Sequence, residues 1–204
     1  MSTDTLPSRF PPPFDVPDTG ELAWLLRAER AGVPVAPMVV VPVTVETAFY
    51  HLNNLPERLR LLFDGVASDD PDEDDLEELV SEAMALVLEH ALLEEVVEGV
   101  YQALEGLPER VAVRRAGSQG KTAWRGRGVL LALKRTWAED WTLDALVARL
   151  RAGHGLAPQP QAVLVHDAAV TLAVEPLGFG PEGAKVQAWH DPAGRLARLA
   201  LARG

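Results

Sequence analysis

The stretch from Arg110 to Trp141, RVAVRRAGSQGKTAWRGRGVLLALKRTWAEDW, constrains the fold more than any other. A short β-branched run, Val111–Val113, opens onto Arg114 and Arg115, and glycines follow at 117, 120, 126 and 128. A helix is predicted from about Val129. Strand, glycine-rich basic loop and helix form the arrangement in which backbone N–H groups approach a phosphate closely. From Arg110 to Arg135 there are eight Lys or Arg and no acid, whereas Asp64 to Glu109 holds sixteen acids and no Lys or Arg. The simplest use of such segregation is internal pairing.

Composition narrows the class. A chain of 204 residues with 48% hydrophobic and 24% charged residues is long enough for one domain with a substantial core. Its net charge of −11 argues against a general nucleic-acid binder. With zero cysteines, disulfides, thiol catalysis and thiolate metal sites are excluded. The N-terminus lacks a basic segment followed by an apolar run, and no stretch reaches the roughly 18 apolar residues needed to cross a bilayer. The expectation is a cytoplasmic protein without membrane contact.

In chain order, residues 1–19 form a proline-rich arm with Pro7, Pro11, Pro12, Pro13 and Pro17. Asp18 or Thr19 is expected to cap a helix running through Arg30 that Gly32 ends. A buried strand at Met38–Val41 precedes helices at Val45–Leu52, capped by Thr44, and at Leu55–Phe63. The acids at 69–75 form a solvated loop that lacks the central Gly of a calcium-binding EF-hand. Residues 76–104 keep helical spacing, as one helix or as two with a break near His90. Helices are predicted at Val129–Trp141 and Thr142–Arg151, and a core strand at Gln161–Val165. A terminal meander has strands at Val170–Val174, Lys185–Trp189 and Arg195–Ala202, the last of which also fits a helix.

The segments ELAWLLRAERAGVPVAPMVVVPVTVETAF, ERVAVRR, LLALKRTWAEDWTLDALVARLRAGHGL and QAVLVHDAAV occur in an order that resembles the N-terminal part of the phosphoenolpyruvate synthase and pyruvate phosphate dikinase family. The resemblance spans about residues 20–175 and implies the first subdomain of an ATP-grasp domain. The implied fold is α/β (α+β), one small, largely antiparallel sheet packed with helices over 20–204, with 175–204 a remnant of the second subdomain. Val111–Val113 and Val163–Val165 then belong to one sheet, and the helical region 73–105 to one of its faces.

Several departures bear on function. The family's Gly-Gly-Lys-Gly, whose lysine contacts ATP phosphates, is replaced by Asp18-Thr19-Gly20-Glu21. Its VRSSA becomes Val113-Arg114-Arg115-Ala116-Gly117, with Arg114 at the phosphate-contacting arginine, and its usual Gln after the later strand becomes His166. The metal-binding acids of the second subdomain, the phosphohistidine domain and the pyruvate-binding barrel have no counterpart.

The resemblance thus implies an ATP-grasp-like protein without catalysis, which binds a partner, or a nucleotide or phosphate weakly, at Arg114, Arg115, Gly117, Gly120, Lys121, Arg125, Arg127 and His166. Catalytic and metal residues are expected to be none. ATP is the cofactor to test, Mg²⁺ only together with it, and a second copy or a partner protein is expected to complete the cleft. One alternative is nucleic-acid or polyanion binding through residues 110–135, with Trp124 as a stacking platform. Another is a subunit that completes a split phosphotransferase.

Three further readings compete with these. Gly120-Lys121-Thr122 is similar to a P-loop, but that motif needs glycine where Arg115 stands. His166 and Asp167 are adjacent on a strand and so point apart, which favours a structural role over an acid–base pair. For the basic loop itself, the bland alternative is ion pairing with the acidic helices upstream, and for Arg114 a salt bridge to a Glu of 76–105.

Overall fold

The computed structural model describes residues 6–10, 12, 16, 19–66, 73–173, 177–181 and 184–201. It is a mixed α/β architecture with two antiparallel sheets and, among the described residues, seven α-helices. The larger sheet runs in the order β1 (Ser8–Arg9), β2 (Met38–Val41), β5 (Val163–Asp167), β3 (Arg110–Arg115), β4 (Lys121–Trp124). The smaller sheet joins β6 (Thr171–Leu172), β7 (Val186–His190) and β8 (Leu196–Leu201). Val113 faces Val165 directly across β3 and β5, so the two apolar runs do share a sheet.

Strand alternation builds two cores from the one large sheet. Val39, Val41, Val111, Val113, Val163 and Val165 project into a helical layer. That layer comprises α2 (Val43–Leu52), α3 (Leu55–Leu62), α4 (Glu73–Glu89), α5 (Glu94–Ala103), α6 (Arg127–Ala138) and α7 (Leu143–Arg151). Met38, Val40 and Leu164 project to the opposite side, against α1 (Glu21–Arg30) and the inward residues of β7 and β8. Helix α1 buries Leu22, Ala23, Trp24 and Leu25 in succession, because it lies between the two sheets instead of on a solvated surface.

Several local expectations left open are resolved, and others are corrected. The region 76–104 is two helices, broken at residues 90–93, where His90 bonds back to the Leu86 carbonyl at 2.6 Å. Neither Thr44 nor Thr19 caps: α2 starts earlier, after Pro42, and α1 starts after Gly20 with no side-chain cap (Asp18 lies outside the described residues). Leu196–Leu201 is a strand and not a helix, paired to β7 along its length. Helix α3 stops at Leu62, and the last turn of the helix expected to reach Trp141 is a 3₁₀ turn, Glu139–Trp141. The core strand starts two residues late, at Val163. In the proline-rich arm, Ser8 and Arg9 pair with Val40 and Val39 as an edge strand. Residues 67–72 of the acidic loop lie outside the described residues.

The largest correction falls on the basic loop. It is a β-hairpin: Lys121–Trp124 pairs antiparallel with Arg110–Val113, and α6 begins two residues before Val129. Regular pairing thus uses backbone groups that a phosphate-cradling loop leaves free.

Candidate functional site

Adjacent residues of a strand point to opposite faces, so Arg114 and Arg115 enter different cores. Each guanidinium meets a buried carboxylate there. Arg114, 2% exposed, forms a two-pronged pair with Glu21 at 2.5 and 2.7 Å. Its Nε donates to His166 Nε2 at 2.9 Å across the paired strands β3 and β5.

Glu21 is fully committed. Besides the two guanidinium bonds, it accepts from the Gly117 N–H at 2.7 Å and from the Leu199 N–H at 2.8 Å. One carboxylate therefore ties together α1, the end of β3, the hairpin turn and β8. Burial of such an acid is tolerated because its lone pairs are satisfied and its charge is matched. His166 accepts on Nε2 and bonds through Nδ1 to the Asp167 carbonyl at 2.7 Å, so Nδ1 carries the proton of a neutral ring. Burial first, then the neighbouring Arg114 charge, pulls its pKa down to about 4.

On the other face, Arg115 pairs with Glu46 of α2 at 2.9 and 3.0 Å and with Asp140 of the 3₁₀ turn. It also donates to the Gln161 carbonyl at 3.2 Å. Burial opposes the charge of Arg115, but the Glu46 and Asp140 carboxylates hold its pKa above the usual value. Asp140 is raised to about 6, chiefly by burial and against the pull of Arg115. Beside this triad, Tyr50 accepts from the Trp141 indole at 2.8 Å and lines an apolar cavity of about 460 Å³ with Leu59 and Pro158.

The remaining predicted residues do not converge. Gly117 adopts a φ of 81°, as the hairpin turn needs, and its N–H is spent on Glu21. Gly120 is a packing glycine: a Cβ there would stand 3.1 Å from that of Ala112 and 3.3 Å from that of Arg114. Lys121 pairs at the surface with Glu139, Arg125 donates to the Leu107 carbonyl at 2.8 Å, and Arg127 is exposed at the start of α6. The cations therefore do pair internally, but with Glu21, Glu46, Asp140 and Glu139. Among the described residues, no ion pair joins them to the acids of 76–105. Those helices carry their acids outward, as amphipathic helices do.

Between the hairpin turn and β7–β8 lies a cleft of about 1150 Å³. Gly117, Ser118 and Gln119 form one wall, and Gln187, Trp189 and Arg198 the other. Apart from Gly117, these residues were not singled out in the sequence, and neither were Glu21 and Glu46. The one local signal for Glu46 is that it is the only acid in the largely apolar helix VTVETAFYHL. Among the described residues, both terminal nitrogens of Arg114 are engaged by Glu21, and no group of three or more His, Cys, Asp or Glu is placed to hold an ion. Among the described residues, no helix is long and apolar enough to cross a membrane. No protein-family model matches the chain, and a search of the curated proteins finds no significant match.

Proposed function

We propose that the chain is a non-catalytic binding protein of ATP-grasp-like build that takes its ligand or partner in the cleft between the two sheets. The observation that carries this reading is the pairing of Arg114 with Glu21. The cation that the family resemblance assigns to phosphate already holds a carboxylate with both of its terminal nitrogens. A phosphate at Arg114 must displace a buried, fully bonded glutamate, so nucleotide affinity is weak and transfer chemistry is absent. Calorimetry with ATP and Mg²⁺, followed by product analysis, tests this. The expected result is weak binding or none, with ATP intact; sub-micromolar binding with turnover to ADP or AMP overturns it.

A second reading, polyanion binding, rests on a different surface. Trp124 is 60% exposed on the edge strand β4, with the Arg110 guanidinium 4.8 Å from its ring centroid. This offers one stacking platform with a cation on it. Electrophoretic mobility with single-stranded DNA at two salt concentrations tests it. A shift lost steeply with salt supports the reading, and no shift at low salt removes it.

A further inference from the structure

Among the described residues, the cleft holds one charged side chain without an opposite partner. Arg198 projects from β8 into it, directly across from Trp189 in the β7–β8 register, and its guanidinium lies 4.1 Å from the indole centroid. Among the described residues no carboxylate pairs with it, and its Nε is buried without an acceptor. Among the described residues, the only acid in the cleft wall is Glu21, which is saturated by Arg114 and two backbone N–H groups. Arg114, behind the wall, already matches the charge of Glu21, so among the described residues Arg198 is the unmatched charge of the cleft. Burial, then repulsion from Arg114, lowers the Arg198 pKa, with Glu21 opposing. A guanidinium held over an indole is partly preorganised, because the contact restricts the side chain before any ligand arrives.

The rest of the wall defines the body of the ligand. Gln119, Gln159, Gln161 and Gln187 line the same cleft, and each primary amide both donates and accepts hydrogen bonds. Such groups match hydroxyls and amides. They do not match a chain of phosphates, for which one cation is too little and the saturated Glu21 is a neighbouring repulsion.

Resting on the reading of this cleft as the binding site, we propose that it takes a small organic monoanion bearing hydroxyl or amide groups, with its anionic group on Arg198. The test is a titration of the full chain with gluconate, N-acetylglycine and inorganic phosphate. It follows the Arg198 Nε–H and Trp189 Nε1–H signals by NMR. The expected result is a saturable shift of both signals with gluconate or N-acetylglycine. Affinity should fall about tenfold or more in Arg198→Gln, the factor a lost charge-assisted hydrogen bond is worth. Arg198→Lys, which keeps the charge but not the stacked fork, should lie between. Unchanged β7 and β8 amide signals in both variants verify the fold. Response to phosphate alone, no saturation with any probe, or equal affinity in Arg198→Gln each overturns the proposal. Equal affinity in that variant still leaves the cleft a binding site, whereas turnover of ATP fails the broader reading, so the two failures are distinguishable.

Discussion

Glu21 and Arg114 are separated by 93 positions in the chain and form a two-pronged ion pair at 2.5 and 2.7 Å, buried between the two sheets. The side chains are 0% and 1% exposed. A buried pair of this kind is expensive to break from one side, since the survivor keeps its charge without water. Arg114→Ala is therefore expected to destabilise the fold by roughly 3–5 kcal/mol. Replacing both partners, as in Glu21→Leu with Arg114→Met, should recover much of that loss. Urea denaturation of the two single variants and the double variant measures the coupling; additive losses would refute the paired role.

His166 makes stability depend on pH. Its folded-state pKa of about 4 lies below its ordinary 6.5, so the unfolded chain binds the proton first as pH falls. Stability is then constant above about pH 6.5 and declines towards pH 4, by a total on the order of 3 kcal/mol. Asp140, raised to about 6, works in the opposite direction over its own range. The difference between wild type and His166→Gln isolates the histidine, because the Gln oxygen can still accept from Arg114. Denaturation at a series of pH values should show the acid-side slope in wild type reduced in the variant.

Arg115 is the larger of two charges, with Arg149, that restrain the pKa of Asp140. Arg115→Met should leave burial unopposed from that side and raise the Asp140 carboxyl above about 6. Carbon-detected NMR of the side-chain carboxyl reads this directly. An unchanged or lower value would mean that the triad does not hold in solution.

Gly180 tests the packing of the terminal meander. A Cβ there would lie 2.5 Å from the Ala184 carbonyl oxygen and 2.9 Å from Val186 Cγ1, at the entry to β7. Backbone must shift to admit it, so Gly180→Ala should cost about 1–3 kcal/mol. A thermal melt matching wild type would show that this turn is loose enough to absorb the methyl group.

The binary patterns of this chain fix much of its local structure. The β-branched runs at 38–41, 111–113 and 163–165 form strands because alternate residues find apolar cores on both faces of the sheet. The helix from Glu21 was legible from its leucine spacing and Gly32, whereas the spacing over 76–104 fitted one helix or two and only the structure decided for two. The identity of each ion pair was not legible. Segregated charge suggested that the basic loop meets the acidic helices, a choice based on proximity in sequence.

Tertiary structure decided otherwise, for a physical reason. Strand alternation sends Arg114 and Arg115 into two dry cores, where each requires a carboxylate. The partners are those the chain path brings there, Glu21 for the first and, for the second, Glu46, 69 positions away, with Asp140. The acids of the helical region, free to face water, have no such requirement. Local sequence fixes which residues must be buried, and only the assembled sheets determine which buried charges meet.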